Sequence, residues 1–407
     1  MADADVKLNR RDVLVGGAVS LGATAGCATV NRPVLGDANA GSVSSASGGA
    51  TRRKLGRLGI EVPIVSMGVM NADNPGLVRA ALDRGLFLLD TAHSYQDGRN
   101  EEMVGEVLAG RPRDSYFLCT KIRPSGLDRN TGLFGPETRP EELGEKLDTS
   151  LKRLGLDHVD VLYLHAQSRR EGVLHSGILD ALEKAKKAGK VRFIGVSTHK
   201  NEPEVIRAAT ESKRYDVVLT AYNFRQEHHL EVQRAIGEAA ASGLGVIAMK
   251  TQAGVYWDED RRQPIDPKAS LRWSLRDPNV HTSIPGFTTL DQLELDLEVL
   301  HRPAMNEDDH KALKRPEVVG FYCSGCGQCL ASCRERLPLP ELMRGYMYER
   351  AYQNSGAALA LLDELALGAA PCASCEACPV SCPKGFEVAQ RVRELARWRS
   401  SQGVRAL

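Results

Sequence analysis

Several features common in other classes of protein are scarce or missing in this chain. Lys and Arg (53) nearly balance Asp and Glu (52) over 407 residues, so the net charge is only +1 and no strong field would recruit nucleic acid. The apolar run from Val13 to Ala25 is too short to span a bilayer. Only Cys27 and Cys119 precede residue 322. The remaining eight cysteines cluster near the C-terminus, which favours a cofactor over a general disulfide scaffold.

The first residues are similar to an export signal. Asn9-Arg10-Arg11-Asp12 and the apolar run behind it resemble a twin-arginine signal, which we assign to residues 1–35. Residues 36–51 are rich in Gly, Ser and Ala and suit a flexible linker. Two cleavage sites stay open: before Cys27, which would then carry a lipid anchor, or after Ala25, which would release a soluble protein. We therefore expect the periplasm or cell envelope, with membrane contact only through Cys27.

Short β-rich runs alternate with helical runs from Leu55 onward. Eight such units over about 250 residues match the size of a (β/α)8 TIM barrel, an α/β fold that we place at residues 52–310. An open doubly wound sheet would instead show a Gly-rich phosphate turn after its first strand, and none stands at Ser66 to Asn71. The predicted strands are 62–68, 87–90, 116–121, 159–165, 191–197, 217–222, 245–250 and 281–285.

Three of these strands end on residues that can do chemistry. Asp90, Lys121 and His165 close the second, third and fourth strands, and Tyr95 follows in the loop after Asp90. The strand C-termini form the active-site face of such a barrel, so these side chains should converge. Each one alone could be a helix cap, a solvated strand end or a core histidine. All four on one face favour an active site, with substrate loops expected at residues 123–140 and 255–264.

These residues belong to segments that resemble the aldo-keto reductase family over about residues 52–302. The resemblance implies a tetrad in which Tyr95 gives a proton to a carbonyl, Lys121 and Asp90 tune it, and His165 orients the substrate oxygen. The chemistry is reasonable, because an ammonium group beside a phenol stabilises its anionic form. The implied substrate is a small carbonyl or alcohol compound. The matching segments are Asp90-Thr-Ala-His-Ser-Tyr95, Asn100-Glu101-Glu102, Lys121, Leu164-His165 and Gly189-Lys-Val-Arg-Phe-Ile-Gly-Val-Ser197.

The resemblance also implies a nicotinamide cofactor, NADP or NAD. Some positions depart from the family's usual pattern: Thr198 stands where asparagine is commonest, and Gln292 and Asp296 stand where arginine and asparagine often engage the adenosine. The 2'-phosphate thus lacks its obvious bidentate partner, although Lys250 could supply charge. The implied cofactor-binding residues are Met70, Asp90, Ser197, Thr198, Lys250, Gly286, Thr288 and Gln292.

The C-terminal cysteines form two runs of C-x2-C-x2-C-x3-C spacing. This is the bacterial ferredoxin run for 4Fe-4S clusters, in which the fourth cysteine of each run ligates the other cluster. Two structural zinc sites are the alternative, but zinc usually takes two separated pairs. The stretch from Pro340 to Leu367 is helix-forming, so we expect a mainly helical ferredoxin-like domain with two 4Fe-4S clusters at residues 311–407. The expected metal ligands are Cys323, Cys326, Cys329, Cys333, Cys372, Cys375, Cys378 and Cys382.

The whole chain resembles a subgroup of bacterial aldo-keto reductases that carry such a module. Twin-arginine transport moves folded proteins with their cofactors, so the signal fits the clusters. We expect an oxidoreductase with a redox partner docking at the clusters. The alternative is an electron-transfer or partner-binding envelope protein whose barrel does not turn over. The intact tetrad favours the first and the altered cofactor positions favour the second.

Overall fold

The computed structural model describes residues 49–314, 320–373, 375 and 377–403. The expected signal region 1–35, with Arg10, Arg11 and Cys27, lies outside these residues, as does most of the expected linker. All described residues fall within one compact unit. Within these described ranges, no helix is long and apolar enough to cross a membrane.

Eight parallel strands form a closed barrel, as predicted. Neighbouring strands are hydrogen-bonded in sequence order, and a parallel bridge from Val65 to Ser283 joins the two ends of this order. The strands are buried on both faces, as all six residues of Phe117–Ile122 show, because side chains inside the barrel and helices outside cover them. The strands are β3 (Met67–Gly68), β4 (Leu88–Asp90), β5 (Phe117–Ile122), β6 (Val159–Gln167), β7 (Val191–Thr198), β8 (Val217–Ala221), β9 (Gly245–Met249) and β10 (Thr282–Ser283).

The predicted first strand, 62–68, is wrong at its beginning. Residues Arg52–Lys54 (β1) and Glu61–Pro63 (β2) pair as an antiparallel hairpin ahead of the barrel. Leu55 and Val62 are fully buried and belong to the apolar cluster of the barrel interior. Val62 is therefore apolar because the hairpin closes the amino-terminal end of the barrel, and periodicity alone does not distinguish that burial from a wall strand.

Helices follow the strands with amphipathic spacing. In the helix Glu142–Leu154, Leu143, Leu147 and Leu154 recur on one face and are buried. The helix ends at Gly155, whose φ of 66° suits glycine. The barrel helices are α1 (Pro75–Asp83), α2 (Arg99–Leu108), α3 (Glu142–Leu154), α4 (Arg170–Val173), α5 (Ser176–Lys187), α6 (Glu202–Ser212), α7 (His229–Ala241), α8 (Pro267–Leu275), α9 (Leu290–His301) and α10 (Glu307–Ala312).

The segment after the barrel is helical, as the sequence predicts. It contains α11 (Leu339–Arg350), α12 (Ser355–Glu364) and α13 (Val388–Gly403). Its apolar core is shared with the barrel, since Trp257 and Ile265 pack in the same cluster as Phe321 and Leu342. Residues on both sides of the expected boundary at residue 310 therefore belong to one packed core. This packing holds the segment against the active-site end of the barrel.

Candidate active site

Lys121 is the centre of the group that the strand ends bring together. Its Nζ donates to the Asp90 carboxylate, to the Thr91 carbonyl at 2.7 Å and to the Tyr95 hydroxyl at 3.0 Å. These three bonds use all three ammonium protons. Burial disfavours the ammonium, but contact with Asp90 and Tyr95 outweighs burial and raises the pKa of Lys121. The ammonium is therefore a fixed charge beside the Tyr95 oxygen.

A tight turn places Tyr95 beside Lys121. Gln96 and Asp97 adopt positive φ angles of 52° and 55°, and Gly98 follows at 93°. The φ of Gly98 strains any residue with a side chain, and a Cβ there would also meet the Arg153 guanidinium, so glycine is favoured at this position. Residues with left-handed backbone conformations concentrate where a side chain must be aimed, and here the side chain is that of Tyr95.

His165 lies at an irregularity of β6. The pairing with β7 shifts register between Leu164 and Gln167, and Ala166 has a φ of 55°. The Ser197 hydroxyl accepts a hydrogen bond from the Ala166 backbone N–H at 2.8 Å and so stabilises the irregular backbone. The His165 ring lies 6.2 Å from the Tyr95 ring, centroid to centroid. Burial, followed by the nearby Arg123 charge, lowers the pKa of His165 well below its usual range, so the imidazole is neutral and able to donate.

Buried polar residues of α2 support this arrangement. Asn100 accepts from the Thr91 hydroxyl at 2.6 Å and donates to the Val69 carbonyl at 2.9 Å. Glu101 accepts from the Thr120 hydroxyl at 2.7 Å and pairs with Arg153 at 3.2 Å. Asn100 and Glu101, which match a family segment, thus connect the loop of Tyr95 to the ends of β3 and β5.

A cavity of about 190 Å³ opens at these strand ends. All four tetrad residues line it, together with Met70, Ser197, Lys250 and Gly286 of the expected cofactor set. The expected substrate loops contribute as well, through Arg123, Arg129 and Val255. Trp257, by contrast, lies in the core beneath, with its ring 5.5 Å from that of Phe224. The strand-end residues and five of the eight expected cofactor residues therefore share one cavity.

Three expected cofactor residues, Thr198, Thr288 and Gln292, lie outside the cavity lining, and so does Asp296. The Thr198 hydroxyl donates to the Lys200 carbonyl at 2.9 Å. Gln292 is exposed on α9 and accepts from the Thr288 backbone N–H at 2.8 Å. Asp296, one turn further along α9, is buried, and burial raises its pKa to about 8. In this conformation the side chains of Thr198, Gln292 and Asp296 are engaged or buried within the protein.

The C-terminal helices form one wall of the cavity, which sequence reasoning missed. Arg344 and Tyr348 of α11 and Glu364 of α12 line it directly. Asn354, at the start of α12, donates to the Asn71 side chain at 2.8 Å and to the Met70 carbonyl at 3.2 Å. The only sequence signal for this placement was a long helix-forming stretch between the cysteine runs, which does not reveal which surface that stretch covers.

The cysteines approach one another across the two runs. Cys333 of the first run borders a small cavity together with Cys372, Cys375 and Cys378 of the second. Cys382 of the second run is electrostatically coupled to Cys323 and Cys329 of the first. All eight thiols are free, and the described residues contain no group of three or more potential ligands positioned to hold a metal ion.

Backbone N–H groups already point at two of these sulfurs. The Gly325 N–H donates to Cys323 Sγ and the Leu337 N–H donates to Cys333 Sγ, both at 3.4 Å. Donors of this kind stabilise thiolate ligands and tune iron–sulfur clusters. Burial raises the pKa of Cys323 and that of Cys329 to about 11, so both thiols stay protonated near neutral pH unless a cation replaces the proton.

Known proteins share this barrel. The profile described as "Aldo/keto reductase family" matches residues 69–270. "Uncharacterized oxidoreductase YqkF" of Bacillus subtilis is 23% identical over 305 residues, covering 67% of this chain and 98% of that protein. "D-threo-aldose 1-dehydrogenase" of a Pseudomonas species is 27% identical over 218 residues, covering 47% of this chain and 66% of that protein. The solved structure of aldo-keto reductase AKR11C1 from Bacillus halodurans, in its holo form, superposes with a TM-score of 0.52 at 21% identity, covering 65% of this chain and 95% of that one.

The fold and the Lys121-centred site define a (β/α)8-barrel oxidoreductase. More specifically, residues 69–270 match the aldo/keto reductase family, and the chain is an NAD(P)-dependent oxidoreductase. The matched profile ends at residue 270, so the cysteine-bearing segment lies outside it.

Proposed function

We propose that the barrel reduces a small carbonyl compound, or oxidises the corresponding alcohol, with Tyr95 as the acid and base. The observation that carries this proposal is the 3.0 Å bond from Lys121 Nζ to the Tyr95 hydroxyl. Because Lys121 donates to this oxygen, the tyrosine's own proton is available to another acceptor, and Tyr95 lines the cavity where a substrate oxygen would lie. Tyr95 then gives its proton to the carbonyl oxygen, and the ammonium stabilises the phenolate that remains.

The cavity residues fit a nicotinamide nucleotide. When bound, a reduced nicotinamide supplies the hydride that the carbonyl carbon accepts. Asp90 Oδ2 and Thr251 Oγ1 are buried in the cavity wall without a hydrogen-bond partner among the described residues. Buried polar atoms need a hydrogen bond, and a polar group of a bound ligand would supply one. Met70, Asp90, Ser197, Lys250 and Gly286 would hold the nucleotide. Neutral His165 orients the substrate oxygen and donates to it as negative charge develops.

The nucleotide could be NADP or NAD. The Gln292 side chain is uncharged and already accepts from Thr288. It therefore lacks the paired, charged donors with which an arginine would bind a 2'-phosphate. Lys250 Nζ lies 5.9 Å from the Tyr348 ring centroid, facing the α11 wall. Both facts favour weak discrimination between the two nucleotides, which competition between NADPH and NADH in a turnover assay would measure.

We also propose that the C-terminal domain holds two 4Fe-4S clusters with crossed ligation. Cys323, Cys326 and Cys329 would share one cluster with Cys382. Cys372, Cys375 and Cys378 would share the other with Cys333. The approach of cysteines across the runs supports this pairing, and so do the N–H groups aimed at sulfur. The clusters would exchange single electrons with a redox partner at this end of the chain.

One preparation tests the enzyme and the clusters together. The full mature chain is purified without oxygen, and its iron, optical spectrum and extractable nucleotide are measured. We expect about eight irons per chain and a band near 400 nm that bleaches on reduction, together with bound or readily rebound nicotinamide nucleotide. Zinc in place of iron would contradict the clusters. Failure to bind NADPH or NADH would instead favour the electron-transfer protein with a non-catalytic barrel.

We further propose export by the twin-arginine route to the periplasm or envelope. This rests on the sequence alone, because the signal lies outside the described residues. Arg10→Lys with Arg11→Lys should trap the cluster-loaded protein in the cytoplasm, as cell fractionation would show. Cys27→Ala then separates the two cleavage sites: loss of membrane association indicates a lipid anchor, and unchanged fractionation indicates cleavage after Ala25. Normal export of the double-lysine variant would refute the twin-arginine route.

A further inference from the structure

Three arginines crowd one side of the active-site cavity. Arg123 and Arg129 come from the loop after β5, and Arg344 comes from α11. Only 11%, 12% and 9% of these side chains, respectively, remains exposed. Burying a cation is unfavourable unless an anion lies beside it. The arrangement therefore needs compensating negative charge.

The protein supplies less negative charge than these arginines need. Glu364 Oε1 pairs with both Arg123 and Arg129. Glu341 Oε2 pairs with Arg129, at 3.2 Å, and with Arg344. Three guanidinium groups thus share two carboxylates, so one positive charge is left over (3 − 2 = 1). The neighbouring pair of Lys121 and Asp90 is neutral and does not offset it.

The electrostatics of the wall show the same excess. Burial, followed by the charge of Arg129, lowers the pKa of Arg123 to about 9. Burial also lowers the pKa of Arg344. Arg123 Nε is buried without a hydrogen-bond partner in the described part of the chain. Such a cluster becomes more stable when an anion enters the cavity.

We propose that Arg123, Arg129 and Arg344 form a carboxylate-binding subsite for the substrate. The substrate would be an oxo acid, or the hydroxy acid formed from it. Its carboxylate would contact the guanidinium forks, which match carboxylate geometry, and its carbonyl would lie at Tyr95 and His165. This inference rests on the proposed reductase function.

The position of the arginines favours a substrate group over a phosphate of the nucleotide. Arg123, Arg129 and Arg344 line the cavity together with Tyr95 and His165, and after burial their charges contribute to the lowered pKa of His165. They thus lie at the reacting end of the cavity. Gln292 and Asp296, at the positions that often engage the adenosine in the family, do not line it. The carboxylate itself is unchanged in the reaction: the carbonyl carbon gains the hydride and the oxygen gains the Tyr95 proton.

The subsite is built from both parts of the chain. The barrel loop supplies Arg123 and Arg129, and the cysteine-bearing segment supplies Arg344 with both glutamates. A barrel without the C-terminal segment would lack one guanidinium and both carboxylates. The segment therefore sets substrate preference in addition to any role in electron transfer.

A matched pair of substrates tests the subsite in the full chain. 4-Carboxybenzaldehyde and its methyl ester differ in one charge, and kcat and KM are measured for both with NADPH and with NADH. We expect kcat/KM for the acid to exceed that for the ester by about 10-fold or more, mainly through KM, because only the acid offers a charged group to the guanidinium donors.

Two variants with opposite predictions separate recognition from structural damage. Arg344→Gln should lower the preference for the acid by about 10-fold. Glu364→Gln removes the carboxylate that Arg123 and Arg129 share, leaves Arg129 paired with Glu341, and should raise that preference. A purely structural disturbance would lower turnover of acid and ester alike in both variants. Equal preference in all three proteins overturns the subsite.

A measurement of benzoate binding tests the subsite even if neither aldehyde is reduced. Benzoate is titrated into the purified full chain by calorimetry, with and without nucleotide. Binding that weakens in Arg344→Gln and tightens in Glu364→Gln supports the subsite even when the reductase proposal has failed. No benzoate binding overturns it, and so does competition between benzoate and the nucleotide, which would assign the arginines to the cofactor. Turnover of the ester without preference for the acid leaves the reductase standing and refutes only the subsite.

Discussion

Replacing Tyr95 with phenylalanine should lower kcat for carbonyl reduction by about 100- to 10,000-fold, the usual contribution of a positioned acid. The variant keeps the ring and loses only the hydroxyl that accepts from Lys121. Lys121 retains its bonds to Asp90 and to the Thr91 carbonyl, so the buried ion pair survives. Nucleotide binding should change little, because the hydroxyl acts on the substrate oxygen. Steady-state kinetics and a nucleotide titration measure the two effects separately.

Tyr215→Phe is the matched control for that variant. The Tyr215 hydroxyl donates to the Val173 carbonyl at 2.8 Å, away from the cavity lining. Its loss should cost about 1 kcal/mol of stability and leave kcat within a few-fold of the parent. If Tyr95→Phe retained full kcat, Tyr95 would not be the proton donor and the proposed mechanism would fail. If both variants lost activity equally, the effect would come from folding.

The second large effect is expected for the cysteines and reports on which sulfurs share a cluster. Cys333→Ala should lower iron from about eight to about four per chain, because one cluster loses a ligand. With crossed ligation, Cys333→Ala combined with Cys372→Ala removes two ligands of the same cluster and should still leave about four irons. Cys333→Ala combined with Cys323→Ala strikes both clusters and should leave almost none. Iron assay and the bleachable absorbance measure each step.

Uncrossed ligation predicts the reverse for the two double variants. In that case Cys333 and Cys323 would share a cluster, and their double variant would keep about four irons. The small cavity shared by Cys333, Cys372, Cys375 and Cys378 is the structural reason to expect the crossed result. Iron content that stays unchanged in Cys333→Ala would remove this cysteine from the ligand set.

The sequence predicts the barrel and the approximate position of its catalytic group for a physical reason. A strand buried on both faces must be a continuous apolar run, so a charged residue at its end is conspicuous. Asp90, Lys121 and His165 stand at such ends, and topology alone brings strand ends to one face. The cysteine spacing is visible in the same way, because neighbouring ligands lie close along the chain.

Other features depended on where distant segments meet. Val62 reads as part of a barrel strand, but the hairpin with Arg53 gives it a different place. Thr198 follows the end of the Gly189-to-Ser197 segment that resembles the family, yet its hydroxyl donates to the Lys200 carbonyl. The local sequence pattern shows whether a position is apolar or polar, but it does not determine which distant residue the side chain contacts.

The amino-acid sequence by itself determined the eight strand and helix units, the residues at the strand ends and the two cysteine runs. Each of these features depends on the periodicity or spacing of residues that are close along the chain. Tertiary structure alone decided that α11 and α12 cover the active site. Arg344 lies more than two hundred residues from Arg123 and Arg129 along the chain. Their meeting depends on packing between the C-terminal helices and the barrel loops, through the core that contains Trp257 and Leu342. Long-range packing of this kind leaves no periodic signal in the sequence.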